Sequence, residues 1–268
     1  ALAALAGGAD QATCVDGSAA ALALAEGGYR PPLPANRIQV AGDVGIATFK
    51  MMLVNMLEGR FISPYDYEIA VYVEQVLGVM THFNMASAHF IGMSLGAWVS
   101  AAVATEHPDR VDKVILMSPA GLIATASNMA RIRAERTEAV NNPSWESLHK
   151  VFAHLIADEA NRLPDLIALR QAIYRREDTR TTIDHLLILQ DAETRDRNLI
   201  PEEKWATIAA PTLVVASGKD EGEYQSTAHI VADLIPRAEV FEMPAVRHWP
   251  HFEDPAAFNP TAVEFLRR

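Results

Sequence analysis

Cysteine is almost absent: the 268 residues hold one, Cys14. A lone thiol excludes an internal disulfide and a multi-cysteine metal cluster. Positive charge is also scarce, with 23 Lys and Arg against 34 Asp and Glu, a formal net charge of -11. Such a surface repels phosphate backbones and anionic lipid, which argues against nucleic acid or a membrane as partner. The first basic residue is Arg30, so the apolar start lacks the positive n-region of a secretory signal. Gly7, Gly8, Asp10 and Asp16 interrupt that start well short of the ~20 apolar residues needed to span a bilayer. The chain begins at Ala1 rather than Met, from which a missing or processed N-terminus is expected.

Half of the residues are hydrophobic and 21% are charged, which suits a domain with a large core and rules out disorder. The length fits one large domain or one with an insert. Short apolar runs alternate with helical patterns, the sign of a parallel sheet wrapped in helices. Buried strands are expected at residues 12–15, 37–41, 88–91, 113–117, 212–216 and 238–243. Ile69, Val73, Val76, Leu77 and Met80 recur at helical spacing, with Glu68, Glu74 and Gln75 off the stripe. A helix from about Leu95 must stop by Glu106, because Pro108 disfavours helical geometry just before it.

From residue 124 to 209 the pattern is helical throughout. Asn142-Pro143 reads as a helix start, with Trp145, Leu148, Phe152 and Leu155 on one stripe. Further helical patterns cover residues 163–176 and 182–190. Strand-and-helix alternation resumes at Pro211. The expected organisation is an α/β core of residues 1–124 and 208–268, interrupted by a helical lid at 125–207. Insertions and ligand sites both collect at strand C-terminal ends in such sheets.

Gly92-Met93-Ser94-Leu95-Gly96 fits G-x-S-x-G, a pattern that arises by chance in about one chain in ten of this length. Its setting is the informative part. It follows an apolar strand and opens a helix, so Ser94 would project from a tight turn with the Leu95 N–H at a helix N-terminus. A nucleophilic serine needs a base. His248 follows the last expected strand, and His251 is the second choice. The base needs an orienting carboxylate, and Asp220 and Glu221 both leave the strand that starts at Thr212. The order Ser, acid, His fits this arrangement.

These residues resemble the α/β-hydrolase superfamily from about residue 12 onward. Within it the chain is similar to the meta-cleavage-product hydrolases, which split carbon–carbon bonds of 2-hydroxy-6-oxo-dienoates from aromatic degradation. The likeness lies in residues 88–96, in His107-Pro108-Asp109-Arg110-Val111, in residues 142–155 and 211–220, and in the tail Arg247-His248-Trp249-Pro250-His251-Phe252-Glu253. It implies an α/β-hydrolase fold, a mostly parallel sheet flanked by helices with an inserted helical lid. It also implies a Ser94, Asp220, His248 triad, favouring Asp220 over Glu221, with Trp249 lining the pocket and Arg170 near the position of a lid arginine that binds the substrate's acidic end. Met93 stands where the C–C hydrolases keep Asn, which makes it a substrate-contact candidate, and Ala97 stands where they keep a second Gly. Asp16-Gly17-Ser18 replaces their His-Gly loop; the backbone N–H groups of Gly17, Ser18 and Leu95 are then the oxyanion donors.

Serine, base and oxyanion donors suffice for acyl chemistry, so no cofactor and no metal is expected. The expected partner is a small-molecule substrate, in a cytoplasmic protein, with homo-oligomerisation left open. Two other readings stand beside C–C hydrolysis: a carboxylesterase or thioesterase on the same triad, and a low-turnover ligand sensor. A dehalogenase or epoxide hydrolase of this fold would need Asp at position 94. No G-x-G-x-x-G exists for a dinucleotide, and the histidine spacing argues no zinc site.

Overall fold

The computed structural model describes residues 2–4, 47–49, 66–82, 84–220 and 222–268. The strands expected at 12–15 and 37–41, Cys14, Gly17, Ser18 and Glu221 lie outside the described residues. Among the described residues six strands form one sheet in the order β2-β1-β3-β4-β5-β6. They are β1 (Leu2–Ala4), β2 (Ala47–Phe49), β3 (Ala88–Met93), β4 (Val111–Met117), β5 (Thr212–Ser217) and β6 (Ala238–Met243). β3 to β6 run parallel, and β1 lies antiparallel to both β2 and β3.

A parallel strand is buried on both faces, so it reads as a continuous apolar run. β4 and β5 obey this, with Ile115, Leu116, Val214 and Val215 all fully buried. β6 does not. It is the edge strand, its buried residue is Met243, and Val240 is 41% exposed. The expectation of a buried strand there is corrected: its hydrophobicity serves one face only.

Helix α1 (Ile69–His82) packs its apolar stripe on α2 (Leu95–Glu106), which covers β3 and β4. α2 is buried from Gly96 to Ala104, so its small residues, Ala above all, allow close approach to the sheet. It ends at Glu106, ahead of Pro108, as the proline requires. α9 (Tyr224–Leu234) packs on β5 and β6, and α11 (Pro255–Arg267) closes the chain. The Lys113 ammonium bonds the carbonyls of Phe265 and Leu266 at 2.9 and 3.1 Å, satisfying groups that a helix end leaves open.

Between β4 and β5 the described residues contain no strand. They form α3 (Ala126–Asn141), α4 (Trp145–Leu155), α5 (Pro164–Tyr174), α6 (Glu177–Leu186), α7 (Ala192–Asn198) and α8 (Glu202–Trp205). Ser144 caps α4 by accepting the Ser147 N–H at 3.1 Å, so the helix starts two residues after the expected Asn142-Pro143 signal. Leu148, Val151 and Phe152 are buried, but Trp145, expected on the same stripe, is 46% exposed because it sits in the first turn. The segment is tied to the sheet layer at its end. Asn198 accepts from the Ile69 N–H and donates to Glu68, and its carbonyl accepts from the Trp98 indole at 3.2 Å. Among the described residues no helix is long and apolar enough to cross a membrane.

Candidate active site

The turn from β3 into α2 carries Ser94 at φ 54°, ψ -117°. A non-glycine residue in that region stores about 1–3 kcal/mol of strain. The neighbours hold it there. The Ser94 N–H donates to the Met117 carbonyl at 2.9 Å, and the Ser94 carbonyl accepts from Ala97 and Trp98 as the first bonds of α2. A Cβ on Gly92 would run into the backbone of Gly96 and lie 2.6 Å from Ser100 Oγ, so that position admits only glycine. The turn is tight because β3 and α2 approach to backbone contact there, and it leaves Ser94 and Leu95 on the wall of a cavity.

Asp220 and His248 leave the neighbouring strands β5 and β6, and their loops are laced together. Gly218 N–H donates to Met243 at 3.0 Å, and Lys219 N–H to Val246 at 2.9 Å. A side chain at Gly218 would strike Pro244. This pairing sets Asp220 Oδ1 and Oδ2 at 3.0 and 2.9 Å from His248 Nδ1. A carboxylate only accepts, so Nδ1 carries the proton and Nε2 presents a lone pair. Both side chains are buried, at 9% exposed for His248 and 2% for Asp220. The Tyr224 ring stands edge-on to the imidazole with centroids 4.5 Å apart, and the His248 carbonyl accepts from Ser118 Oγ at 3.4 Å. Burial pushes the Tyr224 phenol above its usual range.

Glu253, in the short helix α10 (Pro250–Glu253), clamps the histidine loop from beneath. Its carboxylate accepts the backbone N–H groups of Arg247 at 2.8 Å and Ala157 at 2.7 Å, and that of Trp249. It thus fixes the residues on either side of His248 and joins them to the chain just beyond α4. Burial holds this carboxyl above its ordinary value, against the pull of the N–H donors.

Ser94, Asp220 and His248 line one cavity of about 130 Å³. A cavity of that size accepts a small molecule. The Ser94 hydroxyl makes no hydrogen bond among the described residues; in the absence of substrate, catalytic contacts are commonly long. His251, the second candidate base, instead packs its ring against Phe258 at 6.1 Å. Among the described residues no group of three His, Cys, Asp or Glu side chains is placed to hold a metal ion.

Three expected contact residues stand off the cavity wall. Met93 is the last residue of β3 and is buried in the core. Trp249 is turned into an aromatic cluster, edge-on to Phe152 and Phe252 with both centroids 5.8 Å away. The Arg170 guanidinium lies 5.6 Å from the rings of Phe152 and Tyr174 and donates to Tyr174 Oη at 3.1 Å. Core packing holds Met93 and Trp249 there, and the Tyr174 hydrogen bond with two ring contacts holds Arg170.

The helical side supplies residues that the motifs did not mark: Arg131, Glu135 and Arg136 from α3, His154 at the end of α4, Gln190, and Arg195 from α7. A signal existed. In α3 the buried residues are Asn128, Met129, Ala139 and Val140, and polar residues fill the turns between, which suits a helix with one face on a wet cavity. Arg131 bonds Glu135 at 3.2 Å and Asn128 at 2.6 Å, and His154 Nε2 lies 3.2 Å from Glu135.

Relatives agree with this architecture. A 2-hydroxy-6-oxononadienedioate/2-hydroxy-6-oxononatrienedioate hydrolase of Comamonas testosteroni is 29% identical over 202 residues, covering 73% of this chain and 68% of its own. A 2-hydroxymuconate semialdehyde hydrolase of Pseudomonas sp. strain CF600 is 25% identical over 204 residues, covering 75% and 69%. The fold matches the 2-hydroxy-6-oxo-6-phenylhexa-2,4-dienoate hydrolase of Rhodococcus sp. strain RHA1 with TM-score 0.67 at 22% identity, over 75% of this chain and 71% of that one. The model of the alpha/beta hydrolase family matches residues 7–261; the chain belongs to that family.

Proposed function

We propose that this protein is a serine-dependent hydrolase that cleaves a C–C bond of a 2-hydroxy-6-oxo-dienoate, giving a carboxylic acid and a 2-hydroxydienoate. The observation that carries the reading is the buried Asp220–His248 pair on the same cavity wall as Ser94 in its strained turn. With Nδ1 bonded to Asp220, His248 Nε2 takes the proton of Ser94 or of an attacking water. The Leu95 N–H at the start of α2 stabilises the oxyanion. The dienol first becomes the keto tautomer; cleavage then releases the two fragments with uptake of one water. Residues 125–207 serve as the lid that roofs the cavity. The relatives' printed activities support the substrate class.

A second reading, an esterase on the same residues, is favoured by Met93, where the C–C hydrolases keep Asn. Purified protein assayed side by side on a meta-cleavage dienoate and on an aryl ester separates the two. Loss of the dienoate's visible absorbance, with formation of the 2-hydroxydienoate, is expected. Ester turnover with a stable dienoate moves the assignment to the esterase. No turnover of either, with slow labelling of Ser94 by a fluorophosphonate, leaves a ligand sensor.

A further inference from the structure

His248 stands on a segment that belongs to neither a strand nor a helix, between β6, which ends at Met243, and α10, which starts at Pro250. Backbone N–H groups in such a segment have no ladder or helical turn to pair with, so their partners fix the path of the chain. Two of them flank the histidine, and both go to one side chain. Glu253 Oε1 accepts from the Arg247 N–H at 2.8 Å, and the same carboxylate accepts from the Trp249 N–H. Its other oxygen, Oε2, accepts from the Ala157 N–H at 2.7 Å, just beyond α4. The carboxylate is itself placed by the chain it holds, because the Glu253 N–H donates to the Trp249 carbonyl at 2.9 Å. Arg247 adds a second tie to α4, its guanidinium donating to the Ala153 carbonyl.

Glu253 does not line the cavity that holds Ser94, Asp220 and His248. It acts on the imidazole through the main chain. Asp220 fixes the ring only while the backbone beneath the ring is fixed; rotation of the chain on either side of His248 carries Nδ1 off carboxylate oxygens that lie 3.0 and 2.9 Å away. A misplacement of about 1 Å is enough to cost about 10²-fold in rate. We propose that Glu253 is a positioning residue for the base: by holding the N–H groups on both sides of His248 it keeps the imidazole on Asp220, and through Ala157 it makes that placement depend on how the end of α4 is seated. The position calls for a carboxylate. An amide has one acceptor oxygen and two donors, so a glutamine there sets its NH2 against the N–H of either Arg247 or Ala157. The consequence for rate rests on the hydrolase reading, whereas the placement of the ring does not.

The test reads the ring before it reads turnover. In protein isotopically labelled at its histidine nitrogens, NMR above the titration range of imidazole reports which nitrogen of His248 carries the proton; its signals are assigned by their loss in His248→Ala. The parent should show Nδ1–H alone. Glu253→Gln should show a mixture of the two tautomers, and its kcat on the dienoate should fall about 10²-fold with KM changed by less than about threefold. Trp205→Phe removes a buried bond to the Ile200 carbonyl away from the cavity; it should lower Tm and leave tautomer and kcat at parental values. Circular dichroism checks that each variant is folded. If Glu253→Gln is not, Glu253→Asp, which keeps both acceptors but withdraws them by one methylene, should shift both readouts in the same direction. A parent without Nδ1–H, a parental tautomer or kcat in the Glu253 variant, or the same changes in Trp205→Phe overturns the proposal. A changed tautomer in a protein that cleaves no dienoate leaves Glu253 as the residue that positions the ring and removes the reaction assignment.

Discussion

On the sheet side of the cavity, side chains are placed by the backbone; on the helical side they are placed by charge. Ser94 is aimed by a turn that a Gly92 Cβ would break, and Asp220 and His248 by main-chain bonds between two parallel-strand exits. Arg131 and Glu135 are held by an ion pair between partly exposed groups, and His154 Nε2 lies 3.2 Å from the same carboxylate. Backbone constraint resists change, whereas such ion pairs contribute little each and are screened by salt. The residues of the proposed reaction thus stand on the stiff wall, facing the adjustable one.

The largest expected effect falls on the stiff wall. Ser94→Ala should lower kcat by about 10³-fold or more with an unchanged far-ultraviolet spectrum, and retained turnover would remove Ser94 from the reaction. Asp220→Asn should cost a loss of the same order, up to about 10⁴-fold, because the amide no longer specifies the Nδ1–H tautomer; steady-state kinetics check it. Gly92→Ala should destabilise the fold by about 3 kcal/mol or more, because its Cβ would fall 2.3 Å from the Gly96 carbonyl oxygen and 2.6 Å from Ser100 Oγ, read from denaturant unfolding. Arg131→Gln, on the adjustable wall, should cost about 0.2–1 kcal/mol in the same measurement. A larger loss there would erase the contrast between the two walls.

The smallest effect is a pH dependence. Burial raises the Glu253 carboxyl above 4.5, so its ionisation is disfavoured by folding. Its contribution to stability is greatest below pH 4.5 and is lost as pH rises through the elevated value. The Tm of the parent protein relative to Glu253→Gln should therefore fall as pH increases across that window. A difference independent of pH would mean that Glu253 is not strained by burial.

What was legible in the sequence follows the same division. The Ser94 turn, the buried strands β4 and β5, the stop of α2 before Pro108 and the partnership of Asp220 with His248 depend on local patterns at strand ends, and they stand where the residues indicated. β6 read as buried because an edge strand and a central one share an apolar composition. Trp249, Arg170 and Met93 misled because a position near the site does not fix which way a side chain turns; packing with Phe152 decided it for Trp249 and Arg170. Arg136 and Arg195 carry no motif. They become neighbours of one cavity through the packing of α3 and α7, elements whose spacing in the chain says nothing of their meeting.

Glu223 ties the two walls together. Its carboxylate accepts from the Thr125 hydroxyl at 3.0 Å and from the Asn128 amide at 3.1 Å, three residues after Asp220. The first turn of α3 is therefore yoked to the segment that presents the carboxylate to the imidazole. A displacement of α3 would therefore be felt at the base as well as at the cavity wall.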